Sequence, residues 1–202
     1  MIKVSIIIGV YNQEELIVRA LDSIPRRNDI EVIVLDDCST DNTHQVVRDY
    51  ADTHPDLHII VAKNSENKGF GFTKNRMYDL ASGEYIVQLD SDDYLYTEDF
   101  NKVIDMLNGE DIVYQDMRIN DGSIFHITDE NKIGFCGGPF RFIRRDFLGD
   151  SRCLEVRGGE DYELNLKLLA KNPKEKFTGI VGYHYNYPRE GSLFDLMVKG
   201  KL

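Results

Sequence analysis

The first half of the chain alternates short apolar runs with amphipathic stretches. Residues 3–9, 30–35, 57–62 and 85–89 are rich in β-branched and other apolar side chains. This is the pattern of strands that are covered on both faces. Between these runs, apolar residues recur at helical spacing. Strands that alternate with helices predict a mostly parallel sheet with right-handed crossovers, as in nucleotide-binding folds.

Local signals predict where these helices begin and end. Pro25 is expected to end the first helix, because proline cannot continue the backbone hydrogen-bonding pattern. Thr40 and Asp41 can accept hydrogen bonds from the free N–H groups that begin the second helix. A glycine-bearing loop at residues 64–72 leads to the third helix, for which Gly83 is the expected C-terminal stop.

The second half of the chain has a less regular pattern. A helix is predicted from Thr97 to about residue 107, and an Asn-Asp-Gly turn at residues 120–122 predicts an antiparallel hairpin. The sheet is therefore expected to become mixed. A chain of 202 residues fits one α/β domain, because domains typically have about 100–200 residues. Its first half, residues 1–95, would resemble a nucleotide-binding fold, and residues 96–202 would form the second half of the same domain.

Composition and charge narrow the possible functions. The net charge of −11 disfavours binding to nucleic acids or to anionic membrane surfaces. The longest apolar run, residues 4–11, is far shorter than the roughly 18 residues of a membrane span. It also lacks the features of a signal peptide, so the expected location is the cytosol. Three cysteines without a Cys-x-x-Cys pair argue against a disulfide framework and a zinc knuckle.

The chemistry is expected where the predicted strands end. In open α/β sheets, ligands bind beyond the carboxyl ends of the strands. Three of these ends carry polar or acidic residues, at positions 9–12, 36–37 and 90–93. A lone aspartate at such a position is often only a cap. The clustering of acidic residues in the last segment suggests a binding site.

Asp90, Asp92 and Asp93 directly follow an apolar strand. Adjacent carboxylates repel each other by about 1 kcal/mol or more per pair unless a cation lies among them. Mg²⁺ or Mn²⁺ fits such a carboxylate set, since either ion can share its other positions with water and a substrate phosphate. These three aspartates are the predicted metal ligands.

The sequence contains neither common glycine-rich phosphate motif. It lacks Gly-x-x-x-x-Gly-Lys-Ser/Thr, and the first strand is not followed by Gly-x-Gly-x-x-Gly. A bound diphosphate would then need the metal and basic side chains to neutralise it. Lys74, Arg76 and Arg189 are the candidates.

Five segments together resemble the family 2 glycosyltransferases of the GT-A fold. They are residues 4–12 (Val-Ser-Ile-Ile-Ile-Gly-Val-Tyr-Asn), 36–41, 67–69, 83–86 and 89–93 (Leu-Asp-Ser-Asp-Asp). The resemblance implies a single GT-A domain. It also implies inverting transfer of a sugar from a nucleoside-diphosphate sugar, with UDP favoured, to a hydroxyl acceptor on a glycan, a lipid-linked glycan or a protein.

The resemblance also implies roles for individual residues. Tyr11 would stack on the nucleobase, Asp37 would hydrogen-bond to it, and Asp90 and Asp92 would meet the ribose and the metal, with Asp93 extending the acidic cluster. The implied donor-binding set is Gly9, Val10, Tyr11, Asp37, Lys74, Asp90, Ser91, Asp92 and Arg189.

The chain departs from the family pattern at three of its positions. Lys74 stands where an arginine commonly contacts phosphate, Gly9 stands where proline is common, and Cys38 stands where glycine is common. A glycine at the end of the first strand would let the backbone approach the base closely.

Inverting transfer needs a base that takes the proton of the acceptor hydroxyl. Family members carry a Glu-Asp pair before a late helix, and the matching residues here are Glu160 and Asp161. The resemblance assigns the base to Asp161 and places Glu160, Gly137 and Gly138 beside the sugar and the acceptor. Two simpler interpretations remain open. Glu160 and Asp161 would supply favourable charge to the first turn of a helix, and Gly137 and Gly138 would belong to an ordinary Gly-Gly-Pro turn.

Two alternative functions also fit parts of the pattern. A sugar-1-phosphate nucleotidyltransferase shares the fold logic and the metal, but that class usually has a glycine- and basic-rich triphosphate loop after the first strand. Residues 9–15 here carry two glutamates and no basic residue. The other alternative is a sugar-nucleotide-binding module without catalysis, or one part of a larger multidomain transferase.

Overall fold

The computed structural model of the protein describes residues 1–133, 138–155 and 160–188. The strands are β1 (Val4–Val10), β2 (Ile30–Asp36), β3 (His58–Lys63), β4 (Tyr85–Gln88), β5 (Tyr94–Leu95), β6 (Ile112–Ile119), β7 (Ile124–Phe125), β8 (Arg141–Arg144) and β9 (Glu175–Tyr185). The helices are α1 (Ile17–Asp22), α2 (Thr43–Thr53), α3 (Phe70–Leu80), α4 (Thr97–Asp105), α5 (Arg145–Leu148) and α6 (Glu160–Leu169), with a 3₁₀ turn at Gly138–Phe140.

The first four strands form the predicted parallel sheet. Their order is β3-β2-β1-β4, and Ile6 pairs with Val32 on one side and with Val87 on the other. Almost every residue of β1, β2 and β4 is buried, as expected for strands whose two faces are both covered. These strands and the helices that pack on them hold most of the hydrophobic core.

The second half makes the sheet mixed, as predicted. Among the described residues, the strand order continues from β4 through β8, β6 and β9 to β5. β8 runs antiparallel to both β4 and β6, whereas β9 runs parallel to β6. The predicted hairpin is present but short, because β7 pairs with β6 only at Phe125 and Ile124.

Gly83 does not stop α3 in the predicted way. The helix ends at Leu80 and Ala81 caps it. Gly83 instead lies against β1, where an added Cβ would sit 2.7 Å from the backbone nitrogen of Ser5. A glycine is required at position 83 because β1 passes close to it. The prediction that Gly83 ends α3 was wrong.

In the part of the chain that the structure describes, no helix combines the length and the apolar character needed to cross a membrane.

Candidate active site

The three strand ends singled out by the sequence lie side by side. β1 is hydrogen-bonded to β2 on one edge and to β4 on the other, and all three strands point the same way. Immediately after β2, the backbone N–H of Asp37 donates to the carbonyl of Val10 at 2.8 Å. The sheet order therefore brings residues 9–12, 36–37 and 90–93 to one edge of the domain.

Tyr11 leaves the sheet at this edge and is 44% exposed. The next residue, Asn12, has a φ of 52°. Its side chain accepts a hydrogen bond from the backbone N–H of Thr40 at 2.9 Å, and its own N–H donates to Ser39 at 3.0 Å. The turn that presents the Tyr11 ring is thus fixed by polar contacts with the segment that follows β2.

Asp37 organises the loop between β3 and α3. Its Oδ1 accepts hydrogen bonds from Asn64 Nδ2 at 2.7 Å and from the Lys68 backbone at 2.9 Å. Its Oδ2 accepts from the Gly69 backbone at 2.8 Å. Each carboxylate oxygen has two lone-pair sites, so Oδ2 keeps acceptor capacity for a further donor.

Two of the departures from the family pattern have structural reasons. A Cβ at Gly9 would lie 2.7 Å from the ring of Phe70, so the glycine makes room for the first residue of α3. Cys38 has a φ of 63°, in the left-handed region that strains residues with a Cβ. That geometry explains why glycine suits this turn.

The acidic turn, residues 90–93, places the carboxylates of Asp90 and Asp93 in different environments. Asp93 is fully buried, and its two oxygens accept hydrogen bonds from Tyr183 and from the Asn186 backbone, the latter at 2.8 Å. Asp90 accepts a hydrogen bond from Gln88, which lies two residues earlier in the chain. Tyr183 also contacts the Asp90 backbone N–H, at 3.2 Å, and so clamps the turn from β9.

Burial and repulsion between neighbouring carboxylates raise the pKa values of Asp90 and Asp93. Burial, with Asp92 beside it, raises the pKa of Asp90 to about 7. Burial, with Asp90 and Asp92 nearby, raises the pKa of Asp93 to about 8. A cation near Asp90 and Asp92 would favour their ionised forms, and their oxygen atoms are ligands that suit Mg²⁺ or Mn²⁺.

Among the residues that the structure describes, no three His, Cys, Asp or Glu side chains form a group that could hold a metal ion. Asp92 is close enough to Asp90 to raise its pKa, so these two carboxylates are the candidates to contact a hard divalent ion. A metal bound there would complete its coordination with substrate and water oxygens.

Lys74 lies in α3, and its ammonium forms an ion pair with the carboxylate of Asp161 in α6. The lysine side chain is fully buried, whereas the aspartate side chain keeps 17% of its surface exposed. Burial alone would lower the pKa of Lys74, but attraction from Asp161 outweighs it and holds that pKa above its usual value. The predicted phosphate ligand and the predicted base are thus in contact.

The remaining predicted residues occupy varied positions. Arg76 Nη1 donates to the Lys63 carbonyl at 2.9 Å and to Asn64 Oδ1 at 2.7 Å, which ties it to the β3–α3 loop. Gly138 and Glu160 are both buried, at the starts of the 3₁₀ turn and of α6. Ser91 is also buried. Gly137 and Arg189 lie outside the described residues.

Sequence analysis missed two buried polar side chains of the site. Asn64 joins Asp37 to Thr73 of α3, which it contacts at 3.0 Å. Gln88 is 4% exposed at the end of β4 and donates to Asp90. Gln88 could have been identified from the sequence, because it is a polar residue within an otherwise apolar strand.

Comparisons with known proteins identify the family of the chain. The family model described as "Glycosyl transferase family 2" matches residues 5–150. A poly(ribitol-phosphate) beta-glucosyltransferase of Bacillus spizizenii is 28% identical over 213 residues, which cover 94% of this chain and 33% of that protein.

Two solved structures have a similar fold. S. aureus TarS 1–349 in complex with UDP-GlcNAc superposes with a TM-score of 0.80 and 26% identity, over 95% of this chain and 60% of that one. The mannosyltransferase PcManGT from Pyrobaculum calidifontis, in complex with GDP-Man and Mn²⁺, gives a TM-score of 0.76 and 24% identity, over 94% and 58% of the two chains.

The predicted fold is confirmed, because these structural neighbours are GT-A fold transferases. The chain spans about a third of the length of the Bacillus glucosyltransferase. The matched family region contains β1, the Asp37 turn, the acidic turn and β8. Because the family model matches residues 5–150 and the fold agrees with it, the chain belongs to glycosyl transferase family 2.

Proposed function

We propose that this chain binds a nucleoside-diphosphate sugar, with UDP as the favoured nucleotide, and transfers the sugar with inversion to a hydroxyl acceptor. The observation that carries the proposal is the convergence at one sheet edge of Tyr11, Asp37 and the acidic turn, with the Lys74–Asp161 pair beside that turn. Lys74 and Asp161 are close enough to Asp90 to shift its pKa in opposite directions.

The nucleoside binds at the ends of β1 and β2. Tyr11 supplies an exposed aromatic face for stacking on the base. Asp37 is already held by three donors of the β3–α3 loop, and its Oδ2 accepts one more hydrogen bond from an N–H group of the base. Uracil offers such an N–H group. The UDP-GlcNAc in the TarS complex supports this choice of nucleotide.

The diphosphate binds beside the acidic turn. Asp90 and Asp92 would hold a divalent ion, which would supply the positive charge that stabilises the departing diphosphate. Asp93 acts behind them, because it is fully buried and hydrogen-bonded to Tyr183 and to the Asn186 backbone, and it fixes the shape of the turn.

Asp161 acts as the base. The acceptor hydroxyl oxygen forms a bond to the anomeric carbon, while the bond from that carbon to the diphosphate oxygen breaks. The hydroxyl proton goes to Asp161, and the electron pair leaves with the diphosphate. Asp161 is the partly exposed member of its ion pair, so an acceptor can approach its carboxylate. Glu160 and Gly138 lie on the acceptor side.

The acceptor class is a hydroxyl-bearing polymer or glycan. The Bacillus relative is named for transfer to poly(ribitol-phosphate), a polymer rich in hydroxyl groups.

A direct experiment uses a panel of UDP- and GDP-sugars with Mn²⁺. Wild-type protein is expected to release the nucleoside diphosphate from one of these donors, slowly when water is the acceptor and faster when a polyol is the acceptor. Asp161→Asn is expected to bind UDP but no longer to release nucleoside diphosphate from the donor. Nucleotide binding without release by wild type would favour a silent binding module. Formation of a nucleotide sugar from sugar-1-phosphate and nucleoside triphosphate would instead indicate a nucleotidyltransferase.

A further inference from the structure

Gln88 is a buried amide at the end of an apolar strand. It is 4% exposed, and the other residues of β4, Tyr85, Ile86 and Val87, are buried and largely apolar. Asp90 lies two residues beyond the end of β4, and its carboxylate contacts the Gln88 side chain. A buried amide is unfavourable unless its polar atoms have partners.

One end of this amide has a partner and the other does not. Nε2 donates to the carboxylate of Asp90. Oε1 is buried and has no hydrogen-bond partner in the described part of the chain. The amide therefore has its nitrogen towards Asp90 and its oxygen facing away from that carboxylate.

The unpaired oxygen shares a small space with the Lys74 ammonium. A Cβ placed on Gly138 would lie 2.2 Å from Gln88 Oε1 and 2.8 Å from Lys74 Nζ. Only a glycine leaves this space open. An ammonium group has three N–H donors and no acceptor, so it can bind a carbonyl oxygen while it also contacts Asp161.

We propose that Gln88 is a positioning residue of the donor site, which holds Asp90 through Nε2 and receives the Lys74 ammonium through Oε1. It thereby joins the acidic turn to the lysine that pairs with the catalytic base. This inference rests on the proposed function. During transfer, Oε1 keeps the buried lysine partnered when Asp161 turns to the acceptor proton.

Gln115 offers a matched control. It is another fully buried glutamine, on β6; its Nε2 donates to the Pro139 carbonyl at 2.9 Å, and its Oε1 is likewise without a partner. None of its described hydrogen bonds reaches an aspartate of the turn. Replacing either glutamine with methionine removes a buried amide and keeps the length of the side chain.

The test is calorimetric binding of UDP with and without Mn²⁺, alongside the thermal midpoint of each variant. Gln88→Met is expected to weaken Mn²⁺-dependent binding by about 10- to 100-fold, the usual effect of losing a residue that supports a metal ligand. Gln115→Met is expected to change the midpoint comparably and to leave binding near wild type. Equal binding by the two variants would overturn the inference.

A second variant, Gln88→Glu, distinguishes the contact with Asp90 from the contact with Lys74. It also replaces the methionine variant in the test if that variant folds poorly. Glutamate keeps an acceptor oxygen for Lys74 but loses the N–H donor to Asp90. Mn²⁺-dependent binding is expected to stay weak, and its recovery to the wild-type value would overturn the link to Asp90. Absence of UDP binding by wild type would instead defeat the proposed function.

Discussion

Lys74 and Asp161 are 87 positions apart in the sequence, and their side chains form an ion pair that joins α3 to α6. The two partners differ in their access to water, because the lysine is fully buried and the aspartate is partly exposed. Removing Lys74 and removing Asp161 should therefore lower the free energy of unfolding by different amounts.

Asp161→Asn is expected to lower the free energy of unfolding by about 3 kcal/mol, because it leaves the Lys74 ammonium buried without its counter-charge. Lys74→Met should cost less, since the remaining carboxylate can be hydrated. The double variant should be more stable than the sum of the two single effects implies. Urea denaturation of the four proteins measures this coupling, and strictly additive effects would mean that the pair contributes nothing.

This asymmetry affects how the catalytic test is interpreted. A loss of transfer in Asp161→Asn can reflect unfolding as well as the missing base. Activity should therefore be measured well below the thermal midpoint of the variant, with UDP binding as a check that the donor site is intact.

Tyr11→Ala is expected to weaken UDP binding by about tenfold, because stacking of a base on an aromatic ring contributes about 1–3 kcal/mol. The thermal midpoint should stay near wild type, since 44% of the side chain is already exposed. Titration calorimetry measures the affinity. Tyr11→Phe keeps the ring and should bind as wild type does. A large loss in the phenylalanine variant would contradict stacking as the role of this residue.

Stability should fall as the pH rises from 6 to 8.5. In the folded protein, the pKa of Asp90 is about 7 and that of Asp93 about 8, whereas an unfolded chain loses such protons near pH ~4. The folded state therefore binds more protons in this window, and stability is lost as the pH rises through these values.

Asp93→Asn should reduce this loss, because the amide cannot ionise. It can still accept from the Asn186 backbone, and its N–H₂ can donate to the Tyr183 oxygen. Thermal midpoints at pH 6 and 8.5 provide the comparison, with Asp150→Asn, an exposed site, as the control. An Asp93→Asn profile parallel to wild type would show that Asp93 does not control the effect.

Cys38→Gly is expected to raise the free energy of unfolding by about 0.5–1 kcal/mol. The residue has a φ of 63°, and a Cβ in this region costs about 1–2 kcal/mol, which the greater freedom of glycine in the unfolded chain partly offsets. Cys38→Ala keeps the strain and removes the sulfur. A glycine variant no more stable than the alanine variant would contradict the strain.

The convergence of the three strand ends was predictable from the sequence, while the pairing of the side chains around them was not. Apolar runs that end in polar residues identified the ends of β1, β2 and β4, and parallel order placed them together. The contact between Lys74 and Asp161 depends on tertiary packing across 87 positions, which no local pattern encodes. The same is true of Gln88 and the open space at Gly138.

Asp93 shows what residue type alone leaves undetermined. The sequence places three aspartates within four positions. Backbone geometry then turns Asp93 towards Tyr183 of β9, a strand that the sequence pattern did not predict. β9 was missed because it contains Gly179, which has a φ of 65°, and its pairing with β6 changes register.

The most direct measurement is calorimetric titration of UDP into the protein at pH 7.5, with Mn²⁺ and with EDTA, for wild type and for Asp92→Asn. The account predicts that wild type binds UDP with Mn²⁺ and that chelation weakens binding by at least about tenfold. Asp92→Asn should bind equally weakly in both conditions. Wild-type binding that is unchanged by chelation, or no binding of UDP at all, would contradict a metal-assisted diphosphate site at Asp90 and Asp92.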